Sequence, residues 1–186
     1  MQQLDADAIH ARLTFAPLID ALHQGLAAPG HQPPRQVHAL QKGAPEAFAL
    51  LPAWDDRYIG VKAFTYFPAN QAPRHTLYAK MLVFDRQHGE PVALLDGTAL
   101  TYWRTAAISA LASQLLSAPD ANTMTLMGTG NLAPYLAQAH ASVRPLSRMF
   151  FWGRTEHKAQ AVAQQMQQRL PDIECMAIAD ASQAVA

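Results

Sequence analysis

The sequence has very few cysteines, no surplus of charge of either sign and no long apolar run. Its single cysteine among 186 residues, Cys175, excludes an intrachain disulfide. Basic and acidic side chains number 14 each, so no global field draws the chain to nucleic acid. No apolar run approaches membrane-spanning length, and MQQLDADAIHARL lacks the basic start and apolar core of a signal peptide. We therefore predict a soluble cytoplasmic protein with neither nucleic acid nor membrane as a partner.

The composition is otherwise that of a globular protein. Half of the residues are hydrophobic, which allows a substantial core. The eight histidines are scattered, without an i,i+4 pair or an HExxH-like motif, so we predict no metal site. Because the charges balance, any site for an anion must come from individual arginines and lysines.

The first half of the chain has the pattern of an α+β domain. Apolar residues recur at helical spacing over 5–28, and Pro17 divides them into two predicted short helices. Between Gln36 and Leu95, runs rich in β-branched and aromatic residues alternate with turn-forming segments such as KGAPE and PANQAPRH. The short connections between successive strands predict an antiparallel sheet.

A long helix is predicted from Thr98 to Ser117, with Thr98 as its N-cap. Its predicted apolar stripe consists of Leu100, Trp103, Ala107, Leu111 and Leu115. Beyond it, strands over 123–128, 148–153 and 173–178 alternate with helices over 131–142, 155–169 and from Ala181, which is typical of βαβ units. The predicted fold class is α/β, with an N-terminal α+β domain over 1–97 and a partial Rossmann-like parallel-sheet domain over 98–186, which includes the connecting helix.

A glycine-rich loop joins a strand to a helix in the stretch TMTLMGTGNLAPYLAQA (123–139). Gly128 suits the tight turn, Gly130 lets the backbone approach a diphosphate, and Ala133 lets the helix pack closely on the sheet. The helix N-terminus adds free N–H groups for phosphates. The predicted cofactor-binding loop is Gly128, Thr129, Gly130, Asn131, Leu132 and Ala133. The alternative is a glycine turn between two packed elements.

The end of the next strand reads FFWGRT (150–155) and predicts the cofactor type. NAD-specific domains place an acidic residue there for the ribose hydroxyls. This chain has Arg154 followed by Thr155, and a guanidinium suits a ribose 2′-phosphate. We therefore predict that both residues bind the cofactor and that NADP(H) is preferred over NAD(H). The alternative is that Arg154 is a solvated loop arginine.

A longer motif gives a family resemblance. The segment PVALLDGTALTYWRTAAISALASQLLSAPDANTMTLMGTGNLA (91–133) resembles the signature of the ornithine cyclodeaminase/mu-crystallin family, and the likeness continues through GVKAFTYFPAN (60–70) and WGRTEHKAQAVA (152–163). The segments LLPAW (50–54) and SVRPL (142–146) are most similar to its Δ1-pyrroline-2-carboxylate reductase branch. That resemblance implies NAD(P)H-dependent reduction of Δ1-pyrroline-2-carboxylate or Δ1-piperideine-2-carboxylate to L-proline or L-pipecolate. The alternatives are an ornithine cyclodeaminase and a non-catalytic, mu-crystallin-like protein that binds NADPH and a small molecule.

The resemblance also implies the substrate site. Arg35 and Arg104 match the substrate-carboxylate arginines, Lys62 matches the active-site lysine, and Thr76 matches a substrate-proximal threonine. The chemistry agrees, because a small anion needs charge-assisted donors and a lysine in a pocket suits proton transfer. Taken as isolated residues, Arg35 and Arg104 are ordinary surface arginines and Lys62 is an exposed strand lysine.

The family pattern further implies a homodimer formed through the N-terminal sheet, which makes residues 1–97 a substrate-binding and dimerisation domain. Family chains continue with further parallel strands, a catalytic aspartate and a C-terminal helix. We therefore expect this chain to be C-terminally truncated, as an incomplete gene model, a degraded gene or part of a split protein. The resemblance therefore implies the activity of the family, of which this chain is expected to be an incomplete form.

Overall fold

The computed structural model describes residues 1–180 and 182, so the helix expected from Ala181 lies outside the described residues. The strands are β1 (Gln2–Leu4), β2 (Gln36–Ala39), β3 (Ala47–Trp54), β4 (Tyr58–Tyr66), β5 (Leu77–Asp85), β6 (Pro91–Asp96), β7 (Thr123–Met127), β8 (Arg148–Trp152) and β9 (Glu174–Ala177). The helices are α1 (Ala6–Arg12), α2 (Phe15–Ala27), α3 (Gly97–Leu116), α4 (Ala133–Ala141) and α5 (Glu156–Arg169). None of these described helices is long and apolar enough to cross a bilayer.

The first sheet has the strand order β1-β6-β5-β4-β3-β2. Strands β2 to β6 pair antiparallel with their neighbours, as the short connections predict. Strand β1 pairs parallel with β6 and was not predicted, because a segment of this length carries no readable alternation. The sheet positions β4, which carries Lys62, in its interior.

Two compact units divide the chain in a way that the linear pattern does not. The first comprises Met1–Leu13 and Gln24–Thr101, and the second comprises residues 14–23 together with the chain from Tyr102 onward. Residues 14–23 belong with the second unit because Phe15 and Ile19 are buried in one apolar cluster with alanines of α3. The compact units divide after Thr101 and set residues 14–23 with the second unit, whereas the sequence pattern places the domain division at 97/98.

The second unit contains the alternating pattern predicted for a Rossmann-like domain. Its sheet has the order β7-β8-β9, and both pairs of strands are parallel. Its core includes Met149 and Phe151 of β8 with Val162 and Met166 of α5. Consecutive parallel strands joined by helices have the arrangement of one half of a Rossmann-like sheet, and the glycine loop follows the carboxyl end of β7.

The start of α3 differs from its prediction in one respect. Asp96 rather than Thr98 caps the helix, since its Oδ1 accepts from the N–H groups of Thr98 at 3.1 Å and Ala99 at 2.9 Å. Thr98 instead accepts at Oγ1 from the N–H of Ala79 on β5, at 3.0 Å. The expected stripe is buried at Ala107 and Leu111, but Leu115 is 59% exposed.

Asp96 is expected to contribute stability that depends on pH. Burial by itself raises the pKa of Asp96, but the N–H of Ala99, the Lys80 ammonium and the N–H of Thr98 outweigh it and hold the pKa below its ordinary value. Because the folded pKa is below the unfolded value of about 3.9, the stabilisation is present above that pH and is lost as pH falls through the folded pKa.

Substitutions at Asp96 separate the cap from the charge. Asp96→Ala removes the acceptor and is expected to lower the free energy of unfolding by about 1 kcal/mol near neutral pH. Asp96→Asn keeps a capping oxygen and loses the 3.0 Å ion pair with Lys80, so its smaller deficit should shrink as pH falls. Denaturant unfolding of the three proteins across the acid range measures this, and a deficit of Asp96→Asn that stays constant with pH would contradict it.

Candidate functional site

Lys62 lies in the middle of β4, and its side chain reaches the beginning of α3. Its Nζ donates to Oγ1 of Thr101 at 2.7 Å. The same Nζ lies 5.6 Å from the centre of the Phe64 ring, two residues along the strand. The sequence left open whether Lys62 faces solvent or a pocket, and the structure leaves it half-buried against α3.

The start of α3 is held tightly on the first sheet. A Cβ at Gly97 would lie 2.9 Å from the carbonyl carbon and the Cβ of Ala79, so only glycine allows this approach. Thr98 binds the same backbone through its hydroxyl, and Asp96 caps the helix from the end of β6. These contacts fix where Thr101 stands relative to Lys62.

Strand register puts Arg35 in line with Lys62. Gln36 of β2 pairs with Leu50 of β3, and the next residue of β3, Leu51, pairs with Lys62 of β4. Continuing this antiparallel register by one residue sets Arg35 opposite Leu51, two strands or about 10 Å from Lys62. Arg35 is exposed, and two long cationic side chains at this spacing can reach one small carboxylate.

Thr76 is not brought beside Lys62 by the same register. Its carbonyl accepts from the N–H of Phe67 at 2.8 Å, at the turn between β4 and β5. Phe67 is five residues after Lys62, which corresponds to about 16 Å along a strand. The substrate role of Thr76 therefore stays a prediction without support from the fold.

Sequence reasoning missed Thr101 and leaves Arg104 as a prediction. Both residues stand in the segment DGTALTYWRT, where the pattern does not separate a functional threonine from one on a helix surface. Thr101 could have been found from the combination of a lysine in a predicted strand with a threonine in the first turns of α3. Arg104 is an exposed residue of the second unit.

The glycine loop leaves β7 through a turn that requires its first glycine. Gly128 has a φ of 133°, in the left-handed region that residues with side chains rarely adopt. Its N–H donates to the carbonyl of Trp152 at 2.8 Å, which ties the loop to the end of β8. A Cβ at Gly153 would lie 2.7 Å from Cγ2 of Thr129, so Gly153 leaves the room into which Thr129 packs.

Gly130 has a different explanation from Gly128. Its φ is outside the left-handed region, and a Cβ there would meet no heavy atom within 4 Å in the described part of the chain. Neither backbone conformation nor packing therefore requires glycine at this position. A diphosphate can approach the backbone closely only where no side chain fills the space in front of it, as is the case at Gly130.

The helix after the loop begins as the motif predicts. Ala133 is buried, which lets α4 pack closely, and its N–H donates to the carbonyl of Gly130 at 2.9 Å. Leu132 occupies the N-cap position, where no side chain of the described residues caps the helix, and Pro134 follows in the first turn. Asn131 is exposed beside it. The free N–H groups expected at the start of α4 are therefore not found, because Ala133 and Tyr135 donate to carbonyls of the loop and Pro134 has no N–H.

The end of β8 carries the residues predicted to bind the adenosine ribose. Arg154 is exposed, and Thr155 occupies the N-cap position of α5. The acidic residue that follows, Glu156, accepts from Nε2 of Gln160 at 3.1 Å. The nearby carboxylate is therefore engaged within its own helix, while the guanidinium is exposed.

A groove of about 600 Å³ in the first unit borders the sheet face of Lys62, because its lining includes Gly60 and Met81, the cross-strand partner of Lys62. Trp54, Tyr58, Met81 and Val83 contribute to its apolar lining. Its charged group is Asp55, a carboxylate that disfavours an anionic substrate. The cations Arg35 and Lys62 mark the more suitable place for a carboxylate. Across residues 1–180 and 182, no cluster of three or more histidine, cysteine, aspartate or glutamate side chains could hold a metal ion.

Comparison with known proteins identifies the family. The sequence pattern of the ornithine cyclodeaminase/mu-crystallin family matches residues 3–186. The chain belongs to this family. The family predicted from the D-x-T-x-L-T-x-x-R-T-A-A signature is thereby confirmed.

Within the ornithine cyclodeaminase/mu-crystallin family, the chain is most like the predicted branch. It is 50% identical over 164 residues to a Δ1-pyrroline-2-carboxylate reductase of Colwellia psychrerythraea, covering 85% of this chain and 52% of the relative. A Δ1-pyrroline-2-carboxylate reductase of Bacillus cereus (strain ATCC 14579) is 39% identical over 112 residues, covering 60% of this chain and 34% of that protein. The chain spans about half the length of the first of these relatives, and less of the second.

Solved structures of similar proteins share the fold. The Thermococcus litoralis Δ1-pyrroline-2-carboxylate reductase in complex with NADH and L-proline matches with a TM-score of 0.87 and 23% identity, covering 99% of this chain and 58% of that one. The iminosuccinate reductase of Paracoccus denitrificans in complex with NAD⁺ matches with a TM-score of 0.84 and 20% identity, covering 97% and 56%. The predicted α/β fold class is confirmed.

Proposed function

We propose that this protein reduces a cyclic imino acid, Δ1-pyrroline-2-carboxylate or Δ1-piperideine-2-carboxylate, to L-proline or L-pipecolate with a reduced nicotinamide cofactor. The observation that carries the proposal is the 50% identity over 164 residues to a relative named for this reaction. The open, cation-bearing face around Lys62 and the bare backbone of the glycine loop support it with chemistry suited to the two ligands.

The substrate presents a carboxylate beside a C=N bond. We assign the carboxylate to Arg35, because guanidinium groups pair with carboxylates through parallel hydrogen bonds. For Arg104, the same role stays a prediction from the family resemblance. Lys62 stands two strands from Arg35 by register, and we assign its ammonium to the imine nitrogen. Addition of hydride to the imine carbon leaves the C=N electron pair on nitrogen, where Lys62 supplies the proton.

The glycine loop suits the diphosphate of a nicotinamide dinucleotide. Gly130 leaves space for phosphate oxygens, and the N-terminal end of α4 adds the partial positive charge of the helix dipole. When bound, the reduced cofactor supplies the hydride. This chain holds it through the loop from Gly128 to Ala133.

The direct test measures oxidation of NADPH and NADH by the purified chain with Δ1-pyrroline-2-carboxylate, and identifies the product by chromatography. Formation of L-proline in step with cofactor oxidation is expected. A thermal shift with NADPH but no turnover would overturn the enzymatic proposal and favour a binding protein. Release of ammonia from L-ornithine with NAD⁺, without imine reduction, would overturn it in favour of a cyclodeaminase.

We also propose that NADP(H) is preferred, because the exposed Arg154 follows β8 where an acidic residue would favour NAD(H). Arg154→Gln is expected to raise KM for NADPH at least about tenfold and to leave KM for NADH unchanged, since a charge-assisted bond to phosphate is lost. Arg148→Gln, at the opposite end of β8, is the matched control. Equal effects on both cofactors would refute the assignment.

A homodimer is proposed through the face of the first sheet opposite Lys62. Register places the side chains of Leu50, Val61 and Leu82 there, beside Phe48, Ile59 and Phe84, and all are partly exposed. An archaeal alanine dehydrogenase of similar fold is described as a dimer. Light scattering should give twice the mass of one chain, and the mass of one chain would exclude this.

The proposed place of action is the cytoplasm, where a lone, partly buried cysteine such as Cys175 needs no oxidised partner. Fluorescence microscopy of the tagged protein tests this, and a signal confined to the cell envelope would contradict it.

A further inference from the structure

A chain of hydrogen bonds in the first unit links the lysine of β4 to the backbone of α3. Lys62 Nζ donates to Oγ1 of Thr101 at 2.7 Å, and Oγ1 of Thr101 donates to the carbonyl of Gly97 at 2.5 Å. Lys62 and Thr101 are 39 residues apart in sequence. The link is therefore a product of the fold and not of local helix chemistry.

The chemistry of the partners fixes the direction of this chain. A carbonyl oxygen carries no hydrogen, so the single hydroxyl hydrogen of Thr101 goes to Gly97. An ammonium group carries no lone pair, so Lys62 donates and the oxygen of Thr101 accepts. With its hydrogen committed to Gly97, Thr101 presents lone pairs towards Lys62. Such an acceptor favours the charged ammonium, whose hydrogen bonds are stronger than those of a neutral amine.

The acceptor stands on a rigid support. Gly97 is pressed against Ala79, where a Cβ would come within 2.9 Å of backbone. Thr98 binds the N–H of Ala79 at 3.0 Å, and Asp96 accepts two N–H groups of the first turn. The position of Thr101 is thus set by β5 and β6. A threonine held in this way can fix the position of the Nζ of a flexible lysine side chain.

We propose that Thr101 is the positioning residue for Lys62: it holds Nζ in place and keeps it protonated as the proton donor to the substrate nitrogen. The inference rests on the proposed function, because it assigns Thr101 a task in that reaction through Lys62. Thr101 itself acts on the lysine and not on the substrate.

Kinetics of two substitutions test the role of the hydroxyl. Thr101→Val keeps the shape but loses the acceptor, and it is expected to lower kcat at least about tenfold with KM for the imino acid changed less than about threefold. Thr101→Ser restores the hydroxyl and is expected to recover most of kcat. A general structural defect would lower both variants alike, together with the thermal midpoint. Wild-type kcat in Thr101→Val would overturn the inference.

A second measurement does not depend on catalysis. Limiting acetic anhydride labels neutral amines, and mass spectrometry compares the labelling of Lys62 with that of Lys42, an exposed lysine in the turn after β2. Loss of the acceptor in Thr101→Val should raise the relative labelling of Lys62 at least about threefold, while Thr101→Ser should match wild type.

The two arms separate the two ideas. Wild-type protein that does not reduce the imine refutes the proposed function, yet the labelling ratio still decides whether Thr101 controls Lys62. Active wild-type protein with unchanged labelling and kcat in Thr101→Val refutes the role of Thr101 alone. Changed labelling with unchanged kcat also refutes it, because Lys62 would then be held by Thr101 without serving the reaction.

Discussion

Lys62→Met is expected to lower kcat/KM for Δ1-pyrroline-2-carboxylate by about 10²- to 10³-fold, because the variant lacks the side chain proposed as proton donor and as a cation at the substrate. Methionine matches the length and the apolar stem of lysine, so the half-buried position on β4 stays filled. The fold should therefore survive while the 2.7 Å contact with Thr101 is lost. Steady-state oxidation of NADPH measures the effect.

Lys42→Met is the matched control for this substitution. Lys42 is exposed in the turn between β2 and β3, and its loss removes the same charge from the same unit. Its kcat/KM should remain within about twofold of wild type, since surface substitutions away from a site have small effects. Equal activity of the two methionine variants would remove Lys62 from the mechanism.

Gly130→Val is expected to weaken NADPH binding by about a hundredfold, or roughly 3 kcal/mol, because the new side chain fills the space proposed for the diphosphate. A Cβ at this position meets no heavy atom within 4 Å among the described residues, and the backbone is not left-handed. The substitution should therefore leave the thermal midpoint nearly unchanged. Fluorescence titration with NADPH measures the affinity.

Gly25→Val provides the comparison for this loop substitution. Gly25 in α2 also has open space before it, so valine there adds the same atoms without a proposed ligand. NADPH affinity should be unaffected, although a β-branched residue in a helix has a small effect on stability. Unchanged affinity in Gly130→Val would show that the loop is an ordinary turn.

Local patterns predicted most of the elements because hydrophobic period and turn chemistry are properties of short segments. The strands β7 to β9 and the helices α3 to α5 lie within a few residues of their predicted bounds. Strand β1 was missed because its pairing with β6, about 90 residues away, is a tertiary event. The cap of α3 was assigned to Thr98 because sequence does not show which of two neighbouring oxygens reaches the free N–H groups.

The candidate site divides in the same way. The glycine loop was predictable because strand, turn and helix are contiguous, and Gly128 and Ala133 have the conformation and burial that their places in the motif require. The family resemblance suggested that Arg35 and Lys62 act on one substrate. The register of β2, β3 and β4 supports this, because it places the two residues in one row across the sheet. Thr101 was invisible because its partner is 39 residues away.

The sequence by itself determined the order of the elements after β1, the glycine turn and the family, since each depends on residues close together in the chain or on a long signature. Tertiary structure alone decided that Lys62 meets Thr101, that Gly97 must be bare against Ala79 and that residues 14–23 pack with the second unit. The physical reason is that such contacts depend on which distant segments share a surface. The alternation and spacing of residues within one segment do not show which distant segment it will contact.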